Sequence, residues 1–182
     1  MEAKKEEQVQ ELLKKSEISL WIDNYDDIFS DFDPRPYSQR AISDDFLLEA
    51  KKASKDKESG IELKFLIPKS IRKEEQEGLI VRRLREHFKK HADELKKDYK
   101  SLVKRGMQFV VIGIILMFLA TYILVRYHEG LVTGFLVVFL EPAGWFFFWE
   151  GLSQVIFESK KKKPDLKFYE KMAKCEITFW DY

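Results

Sequence analysis

Met107–Val125, MQFVVIGIILMFLATYILV, is a run of 19 residues without a charge, and Leu131–Trp149, LVTGFLVVFLEPAGWFFFW, is a second run of 19 whose one charge is Glu141. At a helical rise of ~1.5 Å per residue, each run reaches across a hydrocarbon core of about 30 Å. The five residues between them, Arg126-Tyr127-His128-Glu129-Gly130, are polar and long enough for a tight turn. The pair predicts a two-helix transmembrane hairpin at 105–158, with spans at about 107–125 and 131–149.

The flanks predict its orientation. Lys96, Lys97, Lys100, Lys104 and Arg105 precede the first span, and Lys160, Lys161, Lys162 and Lys163 follow the second. The turn carries only Arg126. By the positive-inside rule the protein is expected to be integral to a membrane with both termini cytoplasmic. Its first residues, MEAKKEEQVQELLKK, have no apolar h-region, so insertion is expected to rely on the first span and not on a signal peptide. Lys100, Lys104, Arg105 and Lys160 to Lys163 are then the lipid-facing basic residues, and membrane lipid is an expected partner. Trp145 and Trp149 fall at the cytoplasmic boundary as part of an aromatic belt, which places Glu141 near the midplane.

The whole chain is nearly neutral, at +1, and its charge is concentrated outside the hairpin. Residues 17–45 hold eight acidic and two basic side chains, whereas 69–105 hold thirteen basic and seven acidic. The lone Cys175 excludes an internal disulfide and fits a reducing compartment. Glu17–Ile22, Ile61–Ile67 and Cys175–Trp180 read as strands, rich in β-branched and aromatic residues. Asp44–Lys57 reads as a helix capped by Ser43, and Asp165–Lys174 as a short helix opening after Pro164, with Leu166, Tyr169, Met172 and Ala173 on one side. Arg72–Arg105 reads as a long helix with Leu79, Ile80, Leu84, Phe88, Leu95, Tyr99 and Leu102 on one stripe, running into the first span. The expected fold is an α+β cytoplasmic domain of about three strands with helices on one face, into which the transmembrane hairpin is inserted. Its parts are a charged N-terminal segment at 1–16, a domain at 17–104 ending in the long helix, the hairpin, and a C-terminal helix and strand at 159–182 that return to the sheet.

Glu141 is the sharpest candidate site. A carboxylate at midplane depth costs a few kcal/mol on insertion scales and tends to face a bundle interior or a watery cavity. Pro142 and Gly144 follow it and weaken the helix, as in ion and proton pathways. The plainer reading is structural: a protonated Glu141 hydrogen-bonded across an oligomer, for example to Tyr122 or Thr121. Glu150, Ser153 and Gln154 suit an interfacial polar face.

In the soluble part, Asp23, Asp26, Asp27, Asp31 and Asp33 crowd the stretch DNYDDIFSDFD. Clustered carboxylates suit Ca²⁺ or Mg²⁺, but the EF-hand spacing is not met and Asp equally favours turns, with Phe29 and Phe32 as anchors packing the loop. The stiff segment that follows presents Arg35, Tyr37, Ser38 and Arg40 as an anion or peptide contact, and equally suits an ordered connection between a strand and a helix. His87 and His91 are four apart and could bind zinc, but without an HExxH pattern they read as solvated or lipid-proximal. Cys175 reads as a packed side chain.

No P-loop, dinucleotide fingerprint, nucleophile elbow or CxxC pair occurs. The expectation is a non-enzymatic protein with no cofactor and no nucleic-acid partner. It is a small multi-pass interaction or regulatory subunit, assembling through its hairpin as a homo-oligomer or with another membrane protein. Gly113, Ala120 and Gly134 would allow close helix approach. The alternative is a homo-oligomeric channel or effector gated by the cytoplasmic domain, with Glu141 in the pathway.

Overall fold

The computed structural model describes residues 17–55, 62–127 and 130–181. The expected charged segment 1–16, the turn positions 128–129, and Lys57 and Ile61 at the ends of two expected elements lie outside them. The described chain is mostly helical, with a small sheet and two long apolar helices. Its strands are β1 (Glu17–Trp21), β2 (Glu62–Ile67) and β3 (Glu176–Asp181), and its helices are α1 (Asp44–Ser54), α2 (Glu74–Arg126), α3 (Leu131–Ser153) and α4 (Ser159–Met172). A π-helical turn, Gln154–Glu158, joins α3 to α4. α2 alone has 53 residues, so the charged helix and the first apolar run are one rod.

By contact density the chain divides into one unit formed by 1–93 with 166–182, and a second formed by 94–165. In the first, the strands lie in the order β1-β2-β3 and pair in parallel throughout. Both crossovers step the same way across the sheet, and a common right hand puts both connections on one face. Burial follows that asymmetry. Leu63, Phe65 and Ile67 of β2 point inward beside Ile18 of β1 and Ile177 of β3, and all are buried. Phe46 and Ala50 of α1, Ile80, Leu84 and Phe88 of α2, and Phe168 and Met172 of α4 complete the same core. On the opposite face Trp21, Leu66 and Trp180 stand in register across the three strands. Trp21 is 68% and Trp180 52% exposed there, and the Lys64 ammonium lies 5.0 Å from the Trp180 ring centroid.

The turn after β1, the start of α2 and the end of β3 are fastened by one polar network. The Tyr25 hydroxyl donates to Glu77 Oε1 at 2.9 Å and accepts the Lys73 amide N–H at 2.9 Å. Arg72 grips both Glu77 oxygens at 2.9 Å and reaches Asp181 at 3.3 Å. The Arg72 guanidinium holds the buried Glu77 carboxyl below its ordinary range against the opposing effect of burial, with Tyr25 adding a second hydrogen bond. A charge-assisted fork of this kind makes a buried carboxylate tolerable.

Several expectations change in detail. Leu79 is exposed, because the stripe that meets the sheet runs Ile80, Leu84, Phe88 at four-residue steps and Leu79 falls beside it. α4 starts at Ser159 and not after Pro164, so the proline lies inside the helix. The carbonyl that it leaves without an N–H partner, four residues earlier on exposed Lys160, is open to water, so the helix need not break. Phe168, absent from the expected stripe, is buried and meets Phe88 edge-on at 6.2 Å between centroids.

The network yields the first prediction. Tyr25→Phe keeps the ring that packs edge-on against Phe179 but deletes the hydroxyl. Glu77 and the Lys73 amide each lose a partner, so stability should fall by about 1–3 kcal/mol. Thermal unfolding of the full chain in mild detergent measures it, and an unchanged midpoint would show that the hydroxyl is not holding these elements together.

Candidate functional site

In the second unit α2 and α3 pack as an antiparallel pair along a seam of small residues. Gly106 and Gly113 are seven residues apart on α2, as are Gly144 and Gly151 on α3. A spacing of seven keeps positions on one side of a pair of helices. Gly106 lies against Gly151, and Gly113 against Gly144. A Cβ on Gly113 would stand 2.6 Å from the Phe148 backbone nitrogen and 2.7 Å from the Gly144 carbonyl oxygen. One on Gly151 would stand 2.5 Å from the Gly106 carbonyl oxygen and 2.6 Å from the Val110 nitrogen. The obstacles are backbone, which cannot swing away, so a side chain at either point pushes the helices apart. Ala120, seven residues beyond Gly113, is fully buried, and Phe109 meets Phe147 edge-on at 5.6 Å.

Gly113 and Ala120 are therefore used within this chain. Gly134 is left open, with nothing within 4 Å of where its Cβ would be. Gly144 contributes to packing and does not interrupt a helix: α3 is continuous from Leu131 to Ser153 with Pro142 inside it. Glu141 is exposed on the outside of the pair and has no hydrogen bond or ion pair among the described residues. Of the partners expected for it across an oligomer, Thr121 donates its hydroxyl to Met117 O at 2.9 Å on its own helix, and Tyr122 is exposed. Further along, half-buried Glu150 accepts a hydrogen bond from Gln154 Nε2 at 2.9 Å.

The loop after β1 brings the acidic and basic candidates together. Asp27 accepts the amide N–H groups of Asp23 and Asn24 at 2.7 and 3.1 Å, closing a capping box on the short helical turn Tyr25–Ile28. Asp26 pairs with Arg40 and accepts the Tyr37 hydroxyl at 3.2 Å. Asp33 takes the Arg35 guanidinium at 2.7 Å and the Ala41 amide at 2.7 Å, and the Arg35 hydrogen bonds hold its carboxyl well below the usual range. Arg40 also donates to Ser30 O at 3.0 Å. Asp23 and Asp31 are exposed at the loop surface. Among the described residues no three His, Cys, Asp or Glu side chains are grouped to hold a metal ion. Phe29 is buried and stacks on Tyr37 at 5.1 Å, but Phe32 is 97% exposed at the loop surface and anchors nothing within the domain.

The basic candidates divide by partner. Lys161 pairs with Glu158 at 2.6 Å and Lys162 with Asp98 at 3.9 Å, the second linking the two strands of chain that lead into and out of the hairpin. Lys100, Lys104, Arg105, Lys160 and Lys163 are exposed and have no ion pair among the described residues. Lys100 and Lys104 border an open groove on α2, about 900 Å³ in volume, that continues along Met107, Val111 and Ile112.

His87 is half-buried. It packs on His91 at 4.4 Å and on Phe88 at 5.7 Å between centroids, and its Nε2 is buried without a hydrogen bond. Burial first, then the charges of His91, Arg83 and Lys90, lowers its pKa from 6.5 to about 4. Cys175 is buried, its thiol donates to Met172 O at 3.0 Å, and desolvation raises its pKa to about 11, the profile of an inert packed thiol.

Comparison with protein-family models, with curated proteins and with solved structures finds no match to this chain.

Two outcomes are expected. Gly113→Leu should lower the unfolding midpoint in detergent by the equivalent of about 1–3 kcal/mol, while Gly134→Leu should stay within about 0.5 kcal/mol of the parent. Equal effects would mean that the seam is not the contact that matters. For His87, the unfolded chain takes up its proton from about pH 6.5 downward and the folded chain only near 4. Stability should therefore fall as the pH drops through that window. His87→Phe should flatten the decline between pH 6.5 and 5, and an identical slope in the variant would exclude His87 as its source.

Proposed function

We propose that this chain is a membrane-embedded interaction or regulatory subunit, anchored by the α2–α3 hairpin and docking a partner through its α/β sheet domain. One observation carries the reading. The hairpin turns glycine inward and large apolar side chains outward: Phe118 is 73% and Leu131 90% exposed, as are Phe135, Val138, Phe139 and Phe146 to lesser degrees. Only 11% of each apolar window is buried. A soluble core helix would bury most of that surface, and an exposed patch this large suits lipid or another helix. Both helices are long and apolar enough to span a bilayer. The lysines on both flanks favour cytoplasmic termini.

Glu141 favours assembly over a solitary anchor. It is exposed and has no hydrogen bond or ion pair among the described residues, so in a bilayer its carboxyl needs a hydrogen-bonding partner. A second copy or a foreign subunit supplies one in the subunit reading. In the alternative, several copies converge and Glu141 lines an ion or proton path. No constellation among the described side chains suggests catalysis, and we assign none.

Carbonate extraction followed by native mass spectrometry of the gently solubilised protein tests this. The chain should stay with the membrane and appear in a discrete assembly. Glu141→Gln, still able to hydrogen-bond, should keep that assembly, and Glu141→Leu should deplete it. A monomer without any bound polypeptide under mild conditions would sink the subunit reading. Cation flux in vesicles that is lost in Glu141→Gln would favour the channel.

A further inference from the structure

We infer that the groove on α2 binds one anionic glycerophospholipid, with its phosphate between Lys100 and Lys104 and an acyl chain along Met107, Val111 and Ile112. This rests on the hairpin lying in a membrane and adds a specific ligand to it. Along the groove, the chemistry changes in the order that a lipid molecule requires. Tyr99, Lys100, Val103 and Lys104 border one end, and Met107, Val111 and Ile112 the other, where Gln108 is the one polar side chain. Lys100 and Lys104 are one helical turn apart, so both ammonium groups can close on a single phosphate. From Lys104 to Ile112 the axis advances about 12 Å at ~1.5 Å per residue, close to the ~15 Å depth of one leaflet's hydrocarbon.

Charge separates this groove from the rest of the basic flank. Lys161 and Lys162 already have carboxylate partners, and Asp98, the nearest acid in sequence to Lys100, is the one that Lys162 takes. Lys100, Lys104 and neighbouring Arg105 have no ion pair among the described residues. Three uncompensated cations within six residues repel one another, and an anion placed among them relieves that repulsion. A lipid phosphate fits better than a free one, because the apolar half of the groove would otherwise face water.

The test is native mass spectrometry of the full chain in mild detergent, with palmitoyl-oleoyl phosphatidylglycerol or the matching phosphatidylcholine added. One phosphatidylglycerol per chain should be retained at least about tenfold over phosphatidylcholine. The preference should vanish in Lys100→Gln/Lys104→Gln but persist in the charge-matched control Lys89→Gln/Lys167→Gln. Equal retention of the two lipids, or unchanged preference in the groove variant, overturns the proposal. Displacement of the lipid by millimolar glycerol phosphate would also overturn it, by showing that the phosphate alone is recognised. Carbonate extraction judges anchoring separately: a chain that remains in the membrane without lipid preference loses only the groove.

Discussion

The strand that completes the sheet follows both apolar helices in the chain, and within their own unit α2 and α3 are held at one short distance. Two facing pairs of glycines set that distance by bringing backbone against backbone. Van der Waals contact between two helix backbones is densest where side chains are absent. The Asp98–Lys162 ion pair marks the chain entering and leaving this pair as neighbours. In the sheet unit, the contact of Phe88 with Phe168 does the same for the two flanks of the interruption. An insertion of this length is tolerable because its two ends are held together.

The sheet solves a different problem. Three parallel strands with all connections on one face bury only that face, which leaves the domain a thin core. The Arg72–Glu77–Tyr25 network compensates by fastening the turn after β1 to the start of α2, and Asp181 extends it to the last strand. The cost of placing a carboxylate in that position is offset by a bidentate guanidinium and a hydroxyl. The network also makes the end of β3 part of the domain's framework despite its position at a sheet edge.

Sequence alone marks the long apolar runs, the strands and the rod-like α2 because each of these signals is local: run length, residue type or a repeat of three and four. What escapes it depends on pairing between distant segments. Pro142 and Gly144 suggest a weak helix when read in order. Seen with Gly113 opposite, Gly144 is a contact point, and the spacing of seven shared with Gly106 and Gly151 was the available signal. The acidic loop is similar. Five aspartates read in order show only a dense negative charge, and the folded loop adds that Arg35, Arg40 and the amide groups of Asp23, Asn24 and Ala41 are partners of Asp26, Asp27 and Asp33. Phe32 and Leu79 show the same limit, since their exposure depends on which neighbour the chain brings to them. Glu141 is legible as unusual, but that it is exposed and without a partner among the described residues is seen only in the folded chain.

The order of strands has a bearing on biosynthesis. β1 and β2 leave the ribosome early, yet β3 follows the last residue of the hairpin. A nascent chain must therefore hold a two-stranded sheet with β2 unpaired on one edge while its two apolar helices are still being made. Closure of the sheet follows their synthesis, so a completed sheet certifies that both have been made. A partner that recognises the completed sheet would thereby ignore chains cut short within them.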